Sequence, residues 1–480
     1  MPTRRQLLRR AAAITALNAL PVGCFKPKHS ANDIRVGVIG HHGRGKYHVG
    51  DLLKMSGVRI VAVCDVDTNE IAKAKETLSK AGFAIRTYTD YRKLCEDKEV
   101  DGVIIATPNH THTLIALTAI QNGKHVYVEK PVCHNIAEGR KLVEAAAKRP
   151  NLIVTHGMQR RSDVGWAEAI AWLDEGHLGK VTLSRGLNYK IRESIGLIKE
   201  PRRVPKVIDY NLWCGPRPMA PVMREQFHYD WHWFWDYGNG DIGNQGPHQL
   251  DVARWALHQM KMPVRAMSLG ARWGYEDNGQ TPNNQMALFQ YADGPPLLFD
   301  NRGLPARDMN WKLEPAFKGG VRIGNVIHCE GGYIAESKAF DNKDNQVKKF
   351  SMTDGGGHQK NWLEAIRQGK LLSDNQSVLQ GYLSASLAHV ANISWRIGKK
   401  LKPEEIRERL QGDKEALATL ENFDANLKAN RIDMNVELAT TGPWLTMDPA
   451  TERFTGEFAG EANKLVEEEY RDEFKLPVIV

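Results

Sequence analysis

From Ile34 onward the chain alternates short, nearly continuous aliphatic runs with stretches whose apolar positions recur every three or four residues. The runs Ile34–Ile39, Val58–Cys64, Val103–Ile105, His125–Val128 and Leu152–Thr155 are rich in β-branched residues. That composition suits strands buried on both faces of a parallel sheet. Between them, Lys46–Met55, Asn69–Lys80, His110–Asn122 and Ile136–Lys148 carry the spacing of helices with one apolar face. The alternation predicts an α/β fold whose N-terminal part is a doubly wound parallel sheet of the Rossmann type.

After Met158 the pattern turns to two-residue alternation. Val181–Asn188, Val264–Ala271, Gln285–Tyr291 and Leu297–Asn301 predict strands of a more open, mixed sheet, interrupted at Gly294-Pro295-Pro296 and Asp354-Gly355-Gly356-Gly357. From Leu401 the chain reads as helical and in part heavily charged, a peripheral extension. The expected organisation is a dinucleotide-binding domain over 33–158, a second α/β domain over 159–400 and an extension over 401–480.

Residues 1–30 read differently. Thr3-Arg4-Arg5-Gln6-Leu7-Leu8-Arg9 matches a twin-arginine export signal, followed by an alanine-rich apolar run from Ala11 to Leu20 and the helix breakers Pro21 and Gly23. The run is too short to span a bilayer and long enough for a signal segment. Export by this route, to the periplasm, carries proteins already folded. Cys24 follows Val22-Gly23 as a lipid-attachment cysteine would, but Pro21 stands where an aliphatic residue is usual.

This segment also explains the net charge of +8. Its first 28 residues hold six basic side chains and no acidic one, leaving 59 basic against 57 acidic residues in the body. A nucleic-acid binder would keep its basic stripe on the folded domain, so that class is excluded. At 480 residues and 42% hydrophobic content, with no apolar stretch of transmembrane length, the chain reads as a soluble multidomain protein. The six cysteines are widely spaced without a CxxC pair, so neither a zinc ribbon nor a thioredoxin-like site is supported.

The first strand runs into Gly40-His41-His42-Gly43-Arg44-Gly45, which opens a helix. Such a turn brings backbone N–H groups to a pyrophosphate at a helix N-terminus. The second strand ends at Asp65, whose carboxylate suits ribose hydroxyls and repels a 2′-phosphate, favouring NAD over NADP. His42 stands where a second glycine is usual, which shifts the expected phosphate contact toward Gly43 and Arg44.

Three further segments carry chemistry. Thr107-Pro108-Asn109 and His112 follow the fourth strand at the sheet edge where ligands of such folds bind. Glu129-Lys130-Pro131 ends the fifth strand. A lysine there either snorkels to water or, beside a nicotinamide, holds a substrate hydroxyl and stabilises the alkoxide. In Gly243-Asn244-Gln245-Gly246-Pro247-His248-Gln249-Leu250-Asp251, the spacing of Leu250, Ala253 and Leu257 puts His248 in the first turn of a helix. The helix dipole there favours the neutral imidazole, which can take a proton.

Together these blocks resemble the Gfo/Idh/MocA oxidoreductases, the glucose–fructose oxidoreductase and inositol dehydrogenase family, over roughly residues 33–400. The resemblance implies a Rossmann domain followed by an α/β domain with a large open, mostly antiparallel sheet that often joins dimers or tetramers. It implies Lys130 and His248 as the catalytic pair, with Glu129 near the nicotinamide ribose; Gln159, outside those blocks, is a further polar candidate for the cofactor or the substrate. Family members commonly carry an aspartate four residues before the histidine. Here Asn244 replaces it, removing a charge that would hold the imidazole basic.

Between the catalytic blocks lies Phe227-His228-Tyr229-Asp230-Trp231-His232-Trp233-Phe234-Trp235-Asp236-Tyr237, nine of whose eleven residues are aromatic or histidine. Flat faces beside carboxylates suit a sugar ring, and an aromatic oligomer interface is the alternative. The substrate candidates are Trp231, Trp233, Trp235, Asp236, Tyr237, Arg160, Lys190, Arg192 and Asp251. His228 and His232 have the i, i+4 spacing of metal ligands, but no carboxylate pattern supports a metal.

Outside the cytoplasm no nicotinamide pool refills the site, so NAD is expected to be bound before export and returned to its starting state in each cycle. Two chemistries meet this. One sugar is oxidised and a second carbonyl compound reduced, or a glycoside is oxidised, cleaved by elimination and reduced again, as NAD-dependent glycoside hydrolases of related sequence do. A non-catalytic sugar- or nucleotide-binding protein is the third reading.

Overall fold

The computed structural model describes residues 30–306, 315–353 and 357–480. The twin-arginine motif, its apolar run and Cys24 lie outside the described residues, as do Asp354, Gly355 and Gly356.

Six strands form the first sheet: β1 (Ile34–Ile39), β2 (Val58–Cys64), β3 (Arg86–Tyr88), β4 (Gly102–Ile105), β5 (His125–Val128) and β6 (Val154–His156). They lie in the order β3-β2-β1-β4-β5-β6 with every neighbour parallel. This is the doubly wound order that reverses direction between β1 and β4 and opens a crevice at their carboxyl ends. Val36, Val38, Val63 and Ile104 pack with the helices on one face, Ile39, Ala62, Val103 and Ile105 with those on the other. The continuous aliphatic runs follow from this two-sided burial. Asp67 and Asn135 cap the helices Thr68–Lys80 and Ile136–Lys148 with their side chains. The helix Arg44–Leu52, which follows β1, opens on Gly43 with no capping side chain and no acid in its first turn.

The second sheet holds β7 (Val181–Asn188), β8 (Arg265–Ala271), β9 (Asn284–Gln290), β10 (Leu297–Arg302), β11 (Ile323–Cys329), β12 (Gly332–Ala335), β13 (Lys338–Asp341), β14 (Gln346–Lys349), β15 (Lys399–Leu401), β16 (Ala439–Thr441), β17 (Leu445–Asp448) and β18 (Arg453–Thr455). The main path is β14-β13-β12-β11-β7-β10-β9-β8-β16-β15, and β17 joins β18 to β8. Among the described pairings of this second sheet only β7 with β10 is parallel. The two-residue alternation places Ala287 and Phe289 of β9 against the helices Gly246–Trp255 and Val378–Arg396. Met286 and Leu288 face the opposite way.

That opposite face differs from the expectation for residues 401–480. Instead of forming a peripheral helical extension, the helices Pro403–Arg409 and Lys414–Ala429 cover the sheet with Ile406, Leu420, Phe423 and Leu427, joined by Leu410 just past the first helix. The same stretch supplies β16, β17 and β18. Its last part crosses back to the first domain, where Val466, Phe474 and Ile479 join the core of Ile136, Leu142 and Ala145. No described helix is long and apolar enough to cross a membrane.

Candidate functional site

A cleft of about 710 Å³ runs along the carboxyl ends of β1, β2, β4 and β5 and is closed on its far side by the second domain. Gly40, His42, Gly43, Arg44, Asp65, Thr107, Pro108, Asn109, His112, Glu129, Lys130 and Gln159 line it from the first domain's side, and Lys190, Trp231, His232, Asn244 and His248 from the second's. Sixteen residues expected at the site from sequence are therefore brought together.

The glycine turn forms the narrow end. Gly40 has φ +84°, and a Cβ there would sit 2.7 Å from the Ala106 carbonyl oxygen. A Cβ at Gly45 would lie 1.8 Å from the Gly40 carbonyl oxygen. Gly45 therefore does not line the cleft; its missing side chain lets the helix close onto the turn. The uncapped N-terminus of that helix offers its first N–H groups to an anion. At the end of β2, Asp65 is buried and accepts from the backbone N–H of His41 (2.7 Å) and Asp67 (2.9 Å). Burial pushes its carboxyl up, and the two backbone bonds oppose that shift. The turn, the open helix terminus and the fixed carboxylate fit a dinucleotide.

At the other end Glu129 is buried. Arg44 Nε donates to its Oε1 at 3.0 Å, and His48 Nε2 lies 2.9 Å from the same oxygen. Burial would raise this carboxyl, but His48 and Arg44 outweigh it and hold the group well below the usual carboxylate range. His358 lies behind them, 3.3 Å from Arg44 Nη2, 3.2 Å from Gln159 Nε2 and 2.7 Å from the Tyr127 hydroxyl. Nothing in the sequence marked His358, 231 residues from Tyr127. Arg44 and His48, four residues apart on one helix, gave a signal that could have been read.

Lys130 Nζ donates to the Asn244 carbonyl oxygen at 2.6 Å and lies 3.3 Å from Asn244 Oδ1. Burial lowers the ammonium to about 8 against the opposing charges of Glu129 and Asp241. Asp241, buried three residues before Asn244, thus supplies a nearby negative charge that the sequence reading missed; it is paired with Arg192 and accepts from Asn188. The His248 ring takes no protein hydrogen bond among the described residues and faces the cleft. Burial, with Lys130 and Arg160 next, pushes it down to about 3, so it is neutral.

Other expected substrate residues point elsewhere. Asp251 is fully buried, bridged at 3.0 Å by Arg161 Nε and bonded by Ser384 at 2.6 Å. Its charge serves packing, not a ligand. Arg160 is spent on Glu336, and Arg192 on Asp241 and Tyr229. Trp233 and Tyr237 are buried, the Tyr237 hydroxyl bonded to the Pro218 carbonyl. Trp235 packs beside Trp395, and Asp236 meets Arg217. Around the tight turn at Asp230–Trp233 residues three apart share a side, so the pairs His228/Trp231 and Tyr229/His232 reach the cleft and the rest of this aromatic segment does not. His112 lines the cleft too, but its ring nitrogens lie 2.7 Å from the Thr107 and Pro131 carbonyl oxygens and hold those strand ends together. No cluster of ligating side chains that would hold a metal occurs among the described residues.

One segment of the second domain straps the narrow end. Thr68 N donates to the Val207 oxygen (3.0 Å), and Asp209 N to the Val66 oxygen (3.0 Å). His228 Nε2 lies 2.9 Å from Asp67 Oδ2, and its ring stacks on His42 with centroids 4.5 Å apart.

Residues 34–157 match the model of an oxidoreductase family with an NAD-binding Rossmann fold, and residues 172–428 match that family's C-terminal alpha/beta domain. The chain belongs to the Gfo/Idh/MocA oxidoreductase family, and its first domain is the NAD-binding one. Inositol 2-dehydrogenase of Salmonella typhimurium (strain LT2) is 32% identical over 180 residues, 37% of this chain and 52% of that protein. A glycosyl hydrolase family 109 protein of Streptomyces niveus is 40% identical over 127 residues, 25% of this chain and 26% of that protein. The chain spans about half the length of the inositol dehydrogenases it matches. Among solved structures, scyllo-inositol dehydrogenase of Lactobacillus casei with NAD(H) and scyllo-inositol superposes with TM-score 0.51 at 18% identity, covering 74% of this chain and 95% of that one. Levoglucosan dehydrogenase with NADH gives 0.53 at 17%, with the same coverage. At these identities the likeness is one of fold.

Proposed function

We propose that the protein oxidises a ring hydroxyl of a sugar or cyclic polyol and keeps its NAD in the cleft, returning it to the starting state in the same site. The observation that carries this is a single cleft joining the Gly40–Asp65 end to Lys130 and His248. NAD, held by the glycine turn, Asp65 and the Arg44–Glu129 pair, supplies the hydride acceptor. Lys130, as the ammonium, donates to the substrate oxygen and stabilises the alkoxide. His248, neutral and without a protein partner, accepts the hydroxyl proton. Trp231 and Tyr229 offer ring faces to a carbohydrate.

Retention of the cofactor is supported by the strap over the narrow end. It agrees with the twin-arginine reading, under which a protein exported to the periplasm carries its nicotinamide with it. The test is Lys130→Met in the purified holoprotein. Nicotinamide reduction by a panel of pyranosides and inositols is expected to vanish while nucleotide still copurifies; full turnover by the variant refutes the assignment. The Streptomyces relative favours a second reading, redox-neutral glycoside cleavage. Release of aglycone from a glycoside without accumulation of reduced nicotinamide would select it.

A further inference from the structure

A second imidazole lines the same cleft as His248. His232 lies on the cleft wall, its ring stacked on Trp231 with centroids 3.7 Å apart and planes 20° apart. Its Nδ1 is 2.6 Å from the Tyr229 carbonyl oxygen. That contact requires the hydrogen on Nδ1, so the tautomer is set and the lone pair is on Nε2. No protein group among the described residues engages Nε2. The ring is thus a fixed acceptor at the cleft, which a residue serving only to pack Trp231 does not need.

The electrostatics keep that lone pair free. Burial lowers the imidazole to about 3, and the charges of Lys130 and Arg192 push the same way. Lys130, the group assigned to the substrate oxygen, lines the same cleft as His232. A cation on a carbonyl oxygen acidifies the neighbouring C–H, because the electrons released by that bond end on the oxygen it holds.

We propose that His232 is a catalytic base for the carbon next to the oxidised carbinol, giving the protein an enolising activity toward cyclic keto-sugars. This rests on the reading of Lys130 as the group that holds the substrate oxygen. The α C–H bond breaks, its proton goes to His232 Nε2, and its electron pair becomes the C=C of an enolate whose negative oxygen Lys130 holds. Return of a proton from Nε2 restores the ketone, so no oxidant or co-reactant is consumed. A substrate with a leaving group one carbon further on would lose it from this enolate.

The experiment supplies the ketone directly. Wild-type holoprotein is incubated with 2-keto-myo-inositol in D2O, and deuterium at the adjacent carbons is followed by NMR. His232→Ala is expected to slow incorporation at least ~100-fold, the usual scale of a positioned base, and added imidazole to restore part of it. His232→Asn, whose amide can keep the bond to the Tyr229 oxygen, should lose exchange while still binding nucleotide. Exchange that survives in either variant, or a loss that imidazole does not restore, overturns the proposal. Wild-type protein that exchanges nothing, yet reduces nicotinamide with inositols, also overturns it and leaves the dehydrogenase reading standing. Failure of every inositol and pyranoside to reduce nicotinamide strikes that reading itself.

Discussion

Lys130 and Asn244 are bound twice over, the ammonium 2.6 Å from the backbone oxygen and 3.3 Å from the side-chain oxygen of the asparagine. The replacement of a usual aspartate therefore acts first on the lysine and not, as the sequence suggested, on His248. Asn244 positions Lys130 without adding charge, and burial holds the ammonium at about 8, below a lysine's ordinary 10.5.

A pH dependence follows. In the proposed reaction Lys130 acts as the ammonium, so kcat/KM is expected to fall as pH rises through about 8. Asn244→Asp places a carboxylate beside it and should move that alkaline limb up by ~1 unit or more. Because the folded pKa is depressed, the unfolded chain binds this proton more tightly between about 8 and 10.5, so the group's contribution to stability rises with pH across that window. A pH–rate profile of both proteins checks the first two statements, and unfolding at several pH values the third.

Asp65 accepts two backbone bonds, which fix its carboxylate at the cleft, and in the proposed binding mode it receives the ribose hydroxyls. Asp65→Ala is expected to weaken NAD about 10- to 100-fold, since hydrogen bonds to a charged group contribute ~1.5–3 kcal/mol. NADP should weaken less or gain, because the carboxylate that repels its 2′-phosphate is gone. Titration of the nucleotide-stripped protein with both dinucleotides measures the ratio.

His228 couples the strap to Asp67 and stacks on His42. His228→Ala should speed release of bound NAD by ~10-fold, equivalent to about 1.4 kcal/mol, with little change in the rate of substrate oxidation. Displacement of the copurified nucleotide by a fluorescent analogue reports the rate, and an unchanged rate would show that the strap does not hold the cofactor.

Asp251 was expected at the substrate and instead neutralises Arg161 inside the protein. Asp251→Ala strands a buried guanidinium and should cost about 3 kcal/mol or more of stability. Denaturant unfolding checks this. A loss of substrate affinity in a fully stable variant would restore the substrate role.

The parts legible in the sequence are those whose burial is two-sided or strictly alternating. β1, β2 and β5 fall where the aliphatic runs place them, because nearly every position in them is buried and most must be apolar; β7 falls on its expected run too, although Ser184, Arg185 and Asn188 are buried in it. β3 escaped notice because its three residues lie on the sheet edge and none is buried. β16, β17 and β18 are three or four residues long, too short to show a period. The cleft was readable where chemistry sits at strand ends, as at Asp65 and Lys130. It was unreadable where distant chain meets it. His358 reaches Arg44 across 314 residues, and nothing local distinguishes Trp231, on the cleft, from Trp233, in the core.

The return of residues 466–479 to the helix Ile136–Lys148 sets the order in which the molecule can be finished. During synthesis the nucleotide-binding sheet emerges first, yet Ile136, Leu142 and Ala145 lack the part of their cover that Val466, Phe474 and Ile479 supply until nearly the whole chain has left the ribosome. The second sheet waits likewise, since β8 gains its neighbour β16 about 170 residues after its own translation. A chain halted at residue 400 would therefore expose apolar surface on both domains at once, and neither half is built to mature alone.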